Sequence, residues 1–249
     1  MVILLTGSSR GIGYQIAEDL IKDGHNLILH YNKNKSSIEG LLKKNNSKSI
    51  IIQADLSKTS DIKNLVQQTI NGLSFPDCII NNAGIAESSD ILLDFDEWDK
   101  MFNKTIDVNL KAPALIFKEF IKYKRENNID SRLRIINISS RAAFRGEQED
   151  YISYACSKGG IISLTKTISR SFGKTDNIIA MSIAPGFVRT EMAKSFIDKN
   201  GEEFVKNGIT LDRLTEPKDI SPIVSLIVSG KMDHSSGSTI DINAGSYLR

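Results

Sequence analysis

The chain has little of what several classes of protein depend on. Its 249 residues include two cysteines, Cys78 and Cys156, and three histidines, His25, His30 and His234. Neither cysteine has a neighbour at CxxC or other metal-ligand spacing, and the histidines stand apart, so neither a metal centre nor a disulfide framework is expected. Sparse reduced thiols of this kind fit the cytoplasm. Charge of one sign is missing too: 32 Lys and Arg face 30 Asp and Glu, a formal net charge of +2. That balance leaves no basic surface for nucleic acid. No apolar run approaches the roughly 18 residues of a membrane span. The stretch from Met1 to Thr6 is too short before its glycine for a secretory leader and reads as a first strand. There are five prolines, and no Pro-, Gly- or Ser-rich linker, repeat or low-complexity tract divides the chain, so one domain spanning 1–249 is expected.

What is present is an alternation. Short β-branched runs occur at Val2–Thr6, Asn26–Tyr31, Ser49–Ala54, Asp77–Asn81, Leu133–Ser139, Ile178–Ala184 and Ser238–Ile242. Several are apolar throughout, as strands buried on both faces of a parallel sheet are. Amphipathic helical stretches lie between them, near residues 11–24, 36–46, 58–72, 96–125, 151–173 and 217–229. The order implies a doubly wound α/β fold. The stretch from Thr190 to Leu214 reads as irregular, and 187–214 is expected to form a flap over a substrate.

Two patterns carry chemistry. Thr6-Gly7-Ser8-Ser9-Arg10-Gly11-Ile12-Gly13 follows the first strand and opens a helix. Gly7 suits a turn with positive φ, Gly11 a close approach of backbone to a pyrophosphate, and Gly13 tight helix–strand packing. The helix N-terminus then offers free N–H groups and a positive dipole end to phosphate. Farther on, Tyr154 and Lys158 stand four residues apart, fourteen residues after Ser140. Residues i and i+4 share a helix face. An ammonium held there favours the phenolate and is expected to lower the Tyr154 pKa, which suits the phenol to exchange a proton with a carbonyl or alcohol oxygen.

With Asn81-Asn82-Ala83-Gly84, Asp107-Val108-Asn109-Leu110, Ile138-Ser139-Ser140 and Pro185-Gly186-Phe187-Val188-Arg189-Thr190, the set resembles the short-chain dehydrogenase/reductase family in order and over nearly the whole chain. The resemblance implies a Rossmann fold with a seven-stranded parallel sheet and helices on both faces. It implies hydride transfer between nicotinamide and a carbonyl or alcohol carbon. By the same resemblance Tyr154 is the general acid/base, Lys158 lowers its pKa and binds the nicotinamide ribose, Ser140 holds the substrate oxygen, and Asn109 supports a proton relay. Ser139 and Tyr151 compete with Ser140 and Tyr154; the family spacing favours Ser140, and Tyr151 has no lysine one turn on. The cofactor is expected on Gly7, Ser9, Arg10, Gly11, Ile12, Gly13, Lys33, Asp55, Leu56, Asn82, Ala83, Gly84, Tyr154, Lys158, Pro185, Gly186, Val188 and Thr190. The chain departs from the family pattern at Ala143, at Ser182 and around Ala244, and its Gly146–Tyr154 loop reads one residue longer.

Strand two ends Tyr31-Asn32-Lys33, with no acid from Gly24 to Ile38. NAD enzymes of this fold place an acid there for the ribose 2′-hydroxyl. Its absence, with Arg10 and Lys33 nearby, points to the 2′-phosphate of NADP. The motifs most resemble 3-oxoacyl-[acyl-carrier-protein] reductases, which implies NADPH-dependent reduction of a 3-oxoacyl thioester in a homotetramer, with Arg132, Arg134 and Lys174 as candidate contacts for an acidic carrier. Another small ketone, sugar or steroid is the alternative substrate. A catalytically silent dinucleotide sensor is the alternative of another class, and it has no chemical need for Asn109, Ser140, Tyr154 and Lys158.

Overall fold

The computed structural model describes residues 1–43 and 47–249, apart from the side chains of Ser195, Lys199 and Asn200. In chain order the first half is β1 (Val2–Leu5), α1 (Gly11–Lys22), β2 (Asn26–Tyr31), α2 (Ser36–Lys43), β3 (Ile50–Gln53), α3 (Thr59–Gly72), β4 (Cys78–Asn81), α4 (Phe95–Ile106), a π-helical turn (Asp107–Lys111) and α5 (Ala112–Glu126). The second half is β5 (Leu133–Ile138), α6 (Ala142–Arg145), α7 (Ile152–Phe172), β6 (Ile178–Pro185), α8 (Glu191–Asn200), α9 (Glu202–Lys206), α10 (Pro217–Val228) and β7 (Thr239–Ile242).

The seven strands form one sheet in the order β3-β2-β1-β4-β5-β6-β7. Every neighbouring pair is parallel. Alternation along β1 shows why both faces are covered. Ile3 and Leu5 pack with Ile16, Leu20, Ile38, Val224 and Ile227, so α1, α2 and α10 lie on one side. Leu4 packs with Leu65, Ile116, Phe120 and Ile168, so α3, α5 and α7 lie on the other. This is the doubly wound fold the alternation implied. After β3 the chain returns across β1 to build β4, and the reversal opens a crevice beyond the C-terminal strand ends. Among the described residues no helix is long and apolar enough to cross a membrane.

Two stretches differ from the sequence reading, and the end of a third lies outside the described residues. The single helix expected over 96–125 is broken by the π turn. Pro113, in the first turn of α5, has no N–H to give to the Asn109 carbonyl four residues back, and the backbone widens there. The helix expected over 36–46 is seen to Lys43; residues 44–46 lie outside the described residues. The stretch from Thr190 to Leu214 is more regular than it reads. It holds α8 and α9, joined at Gly201 with φ +82°. Phe196 lies 5.4 Å from Phe187 and 6.4 Å from Phe204, ring centroid to centroid, and ties the two helices to the strand-six turn.

Candidate active site

The turn after β1 is braced from three strands. Thr6 Oγ1 accepts from the Asn82 and Ala83 N–H groups at 3.0 and 3.1 Å. The Asn82 amide donates to the carbonyls of Thr6 and Gly7 at 3.0 and 2.9 Å. His30 completes the brace: its Nδ1 accepts from the Gly7 N–H at 3.0 Å, which leaves Nε2–H to donate to the Ala54 carbonyl at 3.0 Å. Burial pushes the His30 pKa down and keeps the ring neutral, as the acceptor at Nδ1 requires. Gly7 has φ +66°, and a Cβ there would stand 2.8 Å from Ala83 Cα. A Cβ at Gly13 would overlap the Gly7 carbonyl and the Asn82 amide. Arg10, the N-cap of α1, gives no side-chain cap, so the first N–H groups of that helix are left to point out of the crevice mouth. Gly11 leaves open the space between this mouth and Thr190, whose methyl a Cβ at Gly11 would meet at 3.2 Å. Such a cradle of backbone donors fits a pyrophosphate.

The other expected cofactor residues surround this mouth. The Ser9 carbonyl accepts from Ser37 Oγ at 2.5 Å, which closes the loop against α2. Lys33 is exposed past the end of β2, while its neighbour Lys35 is paired with Glu39 at 2.9 Å. Arg10 reaches the other way and pairs with Glu191, at the start of α8, at 3.0 Å. Asp55 spends one carboxylate oxygen on the N–H and hydroxyl of Ser57, at 3.1 and 2.7 Å, and Leu56 is buried beside it. Across the crevice a Cβ at Gly84 would lie 3.3 Å from Asn109 Oδ1 and 3.4 Å from Lys158 Nζ. Pro185 ends β6, Gly186 donates to the Ile242 carbonyl at 2.9 Å, Val188 is buried and bridges to Thr215, and Thr190 precedes α8.

Beside it stand the residues expected to carry a proton. Lys158 Nζ lies 5.6 Å from the Tyr154 ring centroid and donates to the Ile138 carbonyl at 2.9 Å. Ser139 Oγ donates to the Lys158 carbonyl at 2.9 Å, so this hydroxyl is turned into α7. Ser140 instead hydrogen-bonds Tyr154, and its Oγ accepts from the Ala142 N–H at 3.1 Å. The π turn brings Asn109 in from the side. Its Oδ1 accepts from the Ile85 N–H at 2.8 Å, and its Nδ2 donates to the Ile85 carbonyl at 2.9 Å and to Ser157 Oγ at 3.0 Å.

Burial governs the electrostatics. It pushes the Tyr154 phenol up, against the Ser140 hydrogen bond and the charge of Arg141, which both pull it down. It also pushes Lys158 down to about 8. The expected lowering of the phenol by Lys158 is not seen: the neighbours that pull it down are Ser140 and Arg141, and exclusion of water outweighs both.

Arg141 was missed in the sequence, where it reads only as spacing after Ser140. Its N–H donates to the Pro185 carbonyl at 2.9 Å, which fixes the residue between β5 and β6. The signal was available: a charged residue three positions past the end of β5, just after Ile138-Ser139-Ser140, stands at the C-terminal edge of the sheet. The carrier contacts need correction. Arg134 forks onto Asp233 at 2.9 and 2.8 Å, and Arg132 pairs with the same carboxylate at 2.8 Å. Both sit at the start of β5, on the order of 20 Å along the strand from Ser140. Lys174 follows the far end of α7. These cations face away from the crevice because a parallel strand begins on the opposite edge from its functional end.

Comparison with known proteins matches residues 1–201 to the short chain dehydrogenase family model. The chain is 30% identical over 249 residues to the 3-oxoacyl-[acyl-carrier-protein] reductase FabG of Staphylococcus epidermidis, covering 98% of each chain. It is 32% identical over 245 residues to the FabG of Rickettsia conorii, covering 98% of this chain and 96% of the other. Among solved structures, 4-hydroxyisoleucine dehydrogenase complexed with NADH superposes with a TM-score of 0.87 at 32% identity, covering 98% of each chain.

Proposed function

The chain belongs to the short-chain dehydrogenase family, and on that premise we propose that it is an NADPH-dependent reductase of a 3-oxoacyl thioester, carried by acyl-carrier protein or a related thiol. The observation that carries the reading is the convergence of Ser140, Tyr154, Lys158 and Asn109 at one edge of the sheet, beside a loop of free backbone donors. A dinucleotide held at the Gly7–Gly13 loop would supply the hydride for the carbonyl carbon. Ser140 and Tyr154 hold the carbonyl oxygen, and Tyr154 gives it the proton that completes the alcohol. Burial keeps the phenol protonated, which suits a donor. Lys158 holds its ammonium 5.6 Å from the phenol ring centroid and returns a proton from the solvent side to Tyr154 after each transfer.

NADP is favoured over NAD by the end of β2, which carries Lys33 and no carboxylate, and by Arg10 at the mouth of α1. A phosphate there meets cations and backbone N–H groups. A second reading has one observation behind it, the likeness to a dehydrogenase solved with NADH, and makes the chain an NAD-linked dehydrogenase of a small hydroxy acid. The test is absorbance at 340 nm with NADPH and a 3-oxoacyl thioester. Turnover that falls by about 10³-fold or more in Tyr154→Phe is expected, since a lost proton donor costs on that order. Tight NADPH binding without turnover of any carbonyl would reverse the reading in favour of a sensor.

A further inference from the structure

We propose that Arg141 is a carboxylate-binding residue of the substrate pocket, and that the site has a further activity, the reduction of free short-chain oxo acids whose carboxylate stands two or three bonds from the carbonyl. Three observations converge on it. The residue is placed by its neighbours: it directly follows Ser140, and its backbone is pinned to Pro185 at 2.9 Å. Its guanidinium is half-buried and makes no hydrogen bond or ion pair among the described residues. Glu147, whose charge reaches Arg141, makes its ion pair with Arg145 instead, at 2.6 Å. Arg141 is thus the surplus cation of the pocket, close enough to Tyr154 for each to act on the charge of the other.

A half-buried guanidinium without a counter-charge costs stability, and such a cost is retained where a ligand supplies the missing anion. The cofactor phosphates are not that anion, since they belong at the N-terminus of α1, whereas Arg141 lies beyond β5 beside the proton donor. Arg141 directly follows Ser140, so a cation stands within one residue of the hydroxyl proposed to hold the substrate oxygen. A thioester offers that fork one neutral acceptor. A carboxylate offers two charged oxygens in matching geometry. The chemistry is unchanged: hydride goes to the ketone carbon, the Tyr154 proton goes to its oxygen, and the carboxylate takes no part.

The inference rests on the carbonyl-reduction reading for turnover but not for binding, and the test separates the two. Initial rates of NADPH oxidation are measured with 3-oxobutanoate and with its neutral methyl ester. Binding of both to the NADP⁺ complex, which cannot reduce them, is measured by calorimetry. For the native protein the free acid is expected to be preferred by about tenfold or more in both kcat/KM and affinity, the order of a charge-assisted pair. Arg141→Met is expected to remove that preference, read as the ratio of acid to ester in both kcat/KM and affinity, and Arg141→Lys to keep part of it. Equal handling of acid and ester by the native protein, which needs no variant, would overturn the proposal, as would a preference that survives in Arg141→Met. If neither compound is reduced while the acid still binds through Arg141, carbonyl reduction falls and the carboxylate site stands.

Discussion

Lys158 and Tyr154 are both shaped by the same loss of water, in opposite directions of charge. The ammonium has a pKa of about 8, down from 10.5, so it is largely charged at neutral pH and lost as pH rises through 8. The phenol is pushed up from 10 and stays protonated across that window. A descending limb near pH 8 in the reduction rate therefore belongs to Lys158. We expect kcat for NADPH oxidation to be level between about pH 6 and 7.5 and to fall up to tenfold per unit above 8. A profile level to pH 9.5 would detach Lys158 from the proton path. Stability moves the other way, because between 8 and 10.5 the unfolded chain keeps a proton on Lys158 that the folded chain has released, and folding gains as pH rises. The residues proposed to handle the proton were legible as a set because their types and spacing follow from that chemistry, and the structure brings Ser140 against Tyr154 and Lys158 beside its ring. His30 was not, because a histidine inside an otherwise apolar strand gives no hint that its ring spans from Gly7 to Ala54. Arg141 was hidden for a related reason: charge in a sequence reads as surface until the fold shows which edge of the sheet it occupies.

At the scale of elements, the start of α1 and the start of α8 face each other across the cofactor mouth, joined by Arg10 and Glu191. Both side chains are about two-thirds exposed, so the pair contributes little and a doubly charged phosphate competes well for Arg10. Two outcomes follow from this geometry. Arg10→Ala should weaken NADPH by about tenfold and NADH far less, the order of one charge-assisted contact to phosphate. Glu191→Gln should tighten NADPH by a few-fold, since it frees the arginine without touching the loop. Fluorescence titration with both cofactors checks each, and equal weakening of the two by Arg10→Ala would remove the 2′-phosphate argument. The elements themselves were legible in proportion to how strongly burial patterned them. Several strands, β1 and β4 most plainly, are apolar runs that two-sided burial explains, and each of the seven was located to within a residue or two. The π turn was invisible because it depends on one missing N–H at Pro113 rather than on any periodicity. Helices α8 and α9 were missed because they bury few residues, Ala193 and Val205 among them, so no apolar stripe marks them.

For the whole molecule the unanswered surface is the face of α4. Its apolar residues Phe95, Trp98, Phe102 and Ile106 recur at helical spacing, yet the only buried residue of the helix is Thr105. Phe95 is 82% exposed, Trp98 and Phe102 stack on each other at 5.2 Å, and the buried Trp98 Nε1–H finds no acceptor among the described residues. Helix α7 is different. Its Ile161, Ile162 and Ile168 are already buried within the chain, so its apolar residues alone do not call for a partner. A stripe of aromatic rings left half-covered costs free energy in water in proportion to its area, and burial against a second copy recovers it. The tetramer implied by the family resemblance, with the helical stretches 96–125 and 151–173 packed against symmetry mates, thus has its physical support on α4, in the first of the two. Light scattering should give a mass about four times the 27.6 kDa of one chain. Phe95→Glu should lower that mass at unchanged circular dichroism, because so exposed a side chain supports nothing inside its own chain. A native mass of one chain would show that α4 is simply wet, and a mass that Phe95→Glu leaves at four chains would move the interface to another face.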